Sequence, residues 1–200
     1  MFSQRIVDSL KRGSLVRAMF EEGEKLRKIY GADNVYDLSI GNPEFEPPQA
    51  FKDAYTPIVL EHNPNKHRYM SNAGYEDVRA KIAAKLTRES GVPLTANNII
   101  MTCGAAAAMN VAFRSLLNPG EEVIVLSPFF MEYIFYIEHN GGVPVIAPTN
   151  SETFEPDAGL LEKHITPKTK AIIINNPNNP TGVVYSEESL KKVAELIEQK

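Results

Sequence analysis

Paired cysteines, basic runs and long apolar stretches are absent from this 200-residue chain, and each absence removes a class of protein. The single cysteine, Cys103, cannot form an internal disulfide; a chain without paired cysteines suits a reducing, cytoplasmic setting. His62, His67, His139 and His164 have no Cys or His partner at metal-ligand spacing. Residues 1–13 lack the apolar stretch of a signal peptide. The longest apolar runs, such as residues 171–174, fall far short of the ~20 residues that cross a bilayer, which excludes membrane insertion. With a formal net charge of -4 and no Lys/Arg cluster, the chain lacks the basic surface that duplex nucleic acid requires.

The remaining composition is 43% hydrophobic and 23% charged, which argues against disorder and for a soluble globular protein. The length suits one domain, or one and a part, with a large core. Helical spacing of Val16, Met19, Phe20 and Leu26 predicts a helix over 9–30, with Ser9 as a possible N-cap and Gly31 as its stop. Alternation over 35–40 predicts a short strand, broken by Gly41 and Pro43. A helix over 49–60, interrupted near Pro57, is followed by a polar loop. Val78, Ile82 and Leu86 form the apolar stripe of a helix over 76–90 that Gly91 ends, and Thr95 is a plausible cap for the next turn. Strands over 98–102, 122–127, 143–147 and 171–175 then alternate with helices over 105–117, 131–140, 157–164 and 186–200. Strand–helix alternation with short connections predicts βαβ units and a mostly parallel sheet.

Ligands of open α/β sheets bind where strands end, so the turns after the strands are the places to look for chemistry. Thr102-Cys103-Gly104-Ala105-Ala106 carries the chain from a strand into a helix. Its free N–H groups and positive dipole end suit an anion. The same pattern also fits a small-residue helix start packed on the sheet, with Cys103 a buried packing residue. Ser127-Pro128-Phe129-Phe130 offers two aromatics, for stacking on a planar ring or for core filling. Residues 175–182, Asn-Asn-Pro-Asn-Asn-Pro-Thr-Gly, put four asparagines and two prolines directly after an apolar strand. Proline fixes the path and asparagine supplies donors and acceptors, so this loop reads as a rigid holder of a hydrogen-bonding group.

That last loop resembles the signature of the class I/II aminotransferases, fold type I pyridoxal-phosphate enzymes. The rest agrees in order. Leu38-Ser39-Ile40-Gly41-Asn42-Pro43-Glu44-Phe45 is similar to the family's L-x-x-G-x-P-x-F segment, and Tyr69 to Gly74 to its Y-x-x-x-x-G stretch. Thr102-Cys103-Gly104 resembles the phosphate turn, and Ser127 to Phe130 the aromatic turn. The resemblance implies an α/β, fold type I transferase-like architecture with a mostly parallel sheet flanked by helices. Residues 1–45 would be an arm and part of the small domain, and 46–200 the first part of a large cofactor domain.

The resemblance also implies roles. Gly104, Ala105 and Ala106 would hold the phosphate of pyridoxal 5'-phosphate, through the backbone N–H groups of the two alanines. Phe130 would stack on the pyridine ring. Asn179 would hydrogen-bond the phenolic oxygen and touch the substrate carboxylate. Gly41 would bring backbone near that carboxylate, and Tyr69 would reach the partner subunit's cofactor phosphate in a homodimer. The implied reaction moves an amino group between an amino acid and a 2-oxo acid. Ala106 departs from relatives with a hydrogen-bonding side chain in the phosphate turn, and Phe130 stands where Trp or Tyr is frequent. No catalytic residue is assigned within the chain. The family's Schiff-base lysine and the aspartate that pairs with the pyridine nitrogen are expected beyond Lys200, so these 200 residues alone are expected to be inactive. Lys66, Lys168, Lys170, Lys191 and Lys192 read as solvated surface residues. Two other readings use the same turns: a lyase of the aminocyclopropane-carboxylate synthase type, and a non-catalytic cofactor-binding or regulatory fragment.

Overall fold

The computed structural model describes all residues except 1, 3, 37, 39, 40, 42–44 and 66; in the first helix the side chains of 5, 9–18 and 20 are also outside the description. The chain divides into two compact units, Met1–Tyr69 and Met70–Lys200.

The first unit holds α1 (Gln4–Tyr30), a 3-10 turn (Ala32–Asn34) and α2 (Gln49–Leu60). Helix α1 starts ahead of Ser9, which therefore lies inside it and does not cap it. Gly31 ends it as expected. Of the predicted stripe, Met19 is exposed and Leu26 half-buried, whereas Val16 and Phe20 lie outside the described side chains. The strand expected over 35–40 falls in part outside the described residues, and Val35, Tyr36 and Leu38 join no ladder. Helix α2 runs through Pro57 without a break, and the carbonyl of Pro57 accepts from the N–H of Glu61 at 2.9 Å.

The second unit contains α3 (Glu76–Ser90), a 3-10 turn (Ala96–Asn98), α4 (Gly104–Leu116), β1 (Glu122–Ser127), α5 (Glu132–His139), β2 (Val143–Pro148), α6 (Ala158–Glu162), β3 (Thr169–Ile173) and α7 (Glu187–Gln199). The strands form one parallel sheet in the order β2-β1-β3. Central β1 is buried at Val123, Ile124, Val125 and Leu126, the continuous apolar run expected of a strand covered on both faces. Its odd and even side chains enter two separate clusters. Ile124 and Leu126 pack with Ala147, Leu161, Val193 and Leu196, from β2, α6 and α7. Val123 and Val125 pack with Phe113 and Ile137, from α4 and α5. This makes a three-layer α/β/α unit.

On β2 the N–H of Val143 donates to Glu121 O at 2.8 Å and that of Thr149 to Ser127 O at 3.2 Å. Odd-numbered residues of β2 thus donate toward β1. Pro144 and Pro148 occupy positions whose donors would point away from the sheet, the place where an edge strand tolerates proline.

Two further expectations change. Residues 98–102 form no strand: after the 3-10 turn the segment is extended but joins no ladder, and the N–H of Met101 bonds instead to Ala73 O at 2.9 Å. On α3 the buried residues are Arg79 and Ala83, while Val78 and Leu86 of the predicted stripe are each 38% exposed. The buried face is rotated by one residue because Arg79 finds acceptors inside. Thr95 does take part in capping, with its N–H donating to the side chain of Asn98 at 2.9 Å. Among the described residues no helix is long and apolar enough to cross a membrane.

Candidate functional site

The parallel sheet places the carboxyl ends of β1 and β3 side by side, and two of the three candidate turns leave from there. The third reaches the same rim through a helix. The short link after α4 enters the amino end of β1, so α4 must begin near the opposite end. Its 13 residues span about 20 Å, close to the length of a six-residue strand. Met109 of α4 and Phe129 after β1 both pack against the cluster of Phe113, Val123, Val125 and Ile137.

At the start of α4, Gly104 has φ +78, a left-handed conformation that favours glycine. Cys103 stands at the N-cap and its side chain caps nothing. Gly104, Ala105 and Ala106 are exposed, and among the described residues no side chain accepts from the first turn. A helix start in this condition can receive an anion on its N–H groups. Cys103 is exposed, not the buried packing residue expected, because it sits at the rim where the extended segment gives way to the helix.

The two phenylalanines after β1 divide the readings between them. Phe129 is half-buried against Val123 and Val125 and fills core. Phe130 is 39% exposed and meets Tyr133 edge to face, with centroids 5.6 Å apart and planes at 83°. Among the described residues nothing stacks parallel on its ring, so Phe130 can still take a planar group. The phenol of Tyr133 is pushed upward in pKa, chiefly by burial.

Residues 175–182 spend three asparagines on their own architecture. Asn175 accepts from the N–H of Asn179 at 2.9 Å and donates to Pro177 O at 3.1 Å. Asn176 accepts from the N–H of Tyr185 at 2.8 Å. Buried Asn178 accepts from the hydroxyl of Thr181 at 2.8 Å and from its N–H at 3.3 Å, and hydrogen-bonds the Tyr185 phenol. Asn179 is exposed, and its side-chain amide has no partner among the described residues. Burial raises the Tyr185 phenol above its usual range; the hydrogen bond from Asn178 opposes this, and nearby Tyr133 adds to it. Through these two tyrosines the asparagine loop and the aromatic turn converge.

A helix start open to an anion, an aromatic open to a ring and an unused amide gather at one sheet end. The sequence model of the family "Aminotransferase class I and II" matches residues 33–200. The chain belongs to this family. It is 40% identical over 195 residues to the "Probable aspartate/prephenate aminotransferase" of Thermus aquaticus, an alignment covering 97% of the chain and 49% of that protein. It is 38% identical over 166 residues to the "Probable N-acetyl-LL-diaminopimelate aminotransferase" of Bacillus subtilis, covering 82% and 42%. A solved aminotransferase from Eubacterium rectale superposes with a TM-score of 0.91 at 38% identity, over 100% of this chain and 51% of that one. The aspartate aminotransferase of Thermus thermophilus with maleate gives 0.83 at 36%, over 100% and 51%. The chain thus spans about half the length of the curated relatives it matches, and its fold is that of the fold type I aminotransferases.

Gly41 and Tyr69 belong to the first unit and are both exposed; residues 39, 40 and 42–44 of the segment around Gly41 are outside the described residues. Lys168, Lys170, Lys191 and Lys192 are exposed, and Lys192 pairs with Glu188 at 2.6 Å; Lys66 is outside the described residues. Among the described residues no His, Cys, Asp and Glu group could hold a metal ion. Sequence reasoning missed Arg79. Its only signal is a charged residue beside the apolar stripe of α3.

Proposed function

We propose that the protein takes part in pyridoxal-phosphate-dependent transamination, moving an amino group between an amino acid and a 2-oxo acid. The observation that carries this is Asn179, whose side chain the fold leaves unused while its three sister asparagines are consumed by the loop.

A phosphorylated, planar, hydroxylated ring fits these residues by its chemistry. The N–H groups of Ala105 and Ala106 take the phosphate, with Gly104 turning the chain so that the backbone stays open. Phe130 stacks on the ring. The Asn179 amide donates to the phenolic oxygen and contacts the substrate carboxylate. With Ala106 where relatives often carry a hydrogen-bonding side chain, phosphate binding rests on backbone donors. Gly41 serves the substrate carboxylate and Tyr69 the partner's cofactor phosphate in a homodimer; both roles rest on the family resemblance. When bound, the cofactor supplies an electron sink that stabilises charge at the substrate carbon during proton loss. The aminotransferases named above for aspartate make aspartate with 2-oxoglutarate the first pair to assay.

None of the exposed lysines is given a role at the reacting carbon. The 200-residue chain is therefore expected to bind pyridoxal 5'-phosphate without turnover. Equilibrium dialysis tests the first part: the phosphate ester should bind more tightly than pyridoxal, and equal or undetectable binding of the two refutes the cradle. A coupled assay with aspartate and 2-oxoglutarate tests the second, and turnover by this chain refutes the assignment of its lysines.

A further inference from the structure

The segment leading into the phosphate turn is extended yet joins no strand, so something other than the sheet must hold it. Arg79 of α3 is 9% exposed, and among the described residues it has no carboxylate partner. Its Nε donates to Gly74 O at 3.2 Å, and its Nη1 donates to Ala96 O. The same Gly74 carbonyl accepts from the Ser71 hydroxyl at 2.7 Å, and the Gly74 N–H donates to Ser71 O at 2.8 Å. Next to it, Ala73 O accepts from the N–H of Met101 at 2.9 Å. The Met101 side chain packs so closely on Gly74 that a Cβ there would lie 2.6 Å from it, and Gly74 has φ +97. A buried guanidinium thus joins the 71–74 turn to the 96–101 segment, a few residues before Gly104.

We propose that Arg79 is a positioning residue for the phosphate turn. Its planar fork reaches two carbonyls from one fixed side chain, which a point-like ammonium does less well. It does the work that a ladder does for β1 and β3, holding the segment so that the first N–H groups of α4 converge on one point. The inference rests on the cofactor reading above for its ligand, but not for its geometry.

The test compares Arg79→Gln and Arg79→Lys with the unaltered 200-residue chain. Equilibrium dialysis measures Kd for pyridoxal 5'-phosphate and for pyridoxal, and amide hydrogen exchange follows Met101, whose N–H bonds to Ala73 O, and 108–110 of α4 against 123–126 in the ligand-free protein. Arg79→Gln should raise Kd for the phosphate ester at least tenfold and leave that for pyridoxal within twofold. Exchange at Met101 and 108–110 should speed up while 123–126 stay protected, and Arg79→Lys should fall between. Unchanged exchange at Met101 and 108–110 together with unchanged phosphate affinity overturns the proposal, as does an equal loss for both ligands. If Arg79→Gln does not fold, Ser71→Ala decides by the same readouts, with a smaller shift of the same pattern expected. If the unaltered chain binds no pyridoxal 5'-phosphate, the cofactor reading fails, and the exchange comparison alone then judges Arg79.

Discussion

Asn178 and Asn179 are neighbours with the same side chain, and replacing each with alanine should do opposite things. The amide oxygen of Asn178 is buried and accepts from Thr181 twice, with the Tyr185 phenol also bound to the side chain. Asn178→Ala leaves the two Thr181 donors without an acceptor in a half-buried place. At about 1–3 kcal/mol for a donor left unsatisfied, with water replacing some of the loss, the unit should lose roughly 2 kcal/mol. That corresponds to a fall in Tm of about 8 °C. Asn179 is exposed and its amide holds nothing, so Asn179→Ala should change stability by less than about 0.5 kcal/mol. It should instead weaken cofactor binding. A hydrogen bond to a charged oxygen contributes about 1.5–3 kcal/mol, so Kd for pyridoxal 5'-phosphate should rise roughly 10- to 150-fold. Urea unfolding measures the first quantity and equilibrium dialysis the second. The reasoning is refuted if Asn179→Ala destabilises the protein as much as Asn178→Ala while leaving Kd unchanged.

Other expectations follow from burial and charge. Leu161 of α6 is fully buried in the cluster with Ala147, Val193 and Leu196, so Leu161→Ala should cost about 3 kcal/mol in urea unfolding; a loss under about 1 kcal/mol would mean the cluster collapses around the gap. Phe130→Ala should weaken pyridoxal and its phosphate alike, by about 0.5–1.5 kcal/mol or more of binding, whereas Phe129→Ala should chiefly cost stability; dialysis and unfolding of the two variants check the split. Burial raises the Tyr185 phenol above its unfolded pKa near 10, so its contribution is present below that pH and is lost as pH rises through the higher folded value. Tyr185→Phe should flatten the alkaline limb of a stability–pH curve, and an unchanged limb would exclude Tyr185 as its source.

Periodicity was informative wherever an element buries its own apolar face. The run at β1 and the βαβ order both appear in the structure because central strands need uninterrupted apolar sequence. The segment over 98–102 has the same apolar character, yet a strand exists only with a neighbour to pair with, and pairing is not written in one segment's composition. Arg79 was illegible for a related reason: its acceptors are backbone carbonyls of residues 74 and 96, which every sequence possesses. In the asparagine loop the density of asparagine and proline marked the place, and the resemblance singled out Asn179. The sorting of the others into structural partners depends on contacts with Thr181 and Tyr185 that spacing does not show.

The prolines of β2 give the sheet a direction of growth. With Pro144 and Pro148 on its outer side, β2 offers an approaching chain a single donor among these positions, the N–H of Ile146. Strand β3 carries no proline, and the groove of about 320 Å³ beside it is lined by Ile172, Ile174 and, from α7, Ile197. One edge of the sheet is therefore poor in donors and the other is more receptive to a pairing strand. In concentrated solution, self-association of this chain should begin at β3, and solubilising substitutions belong on that edge.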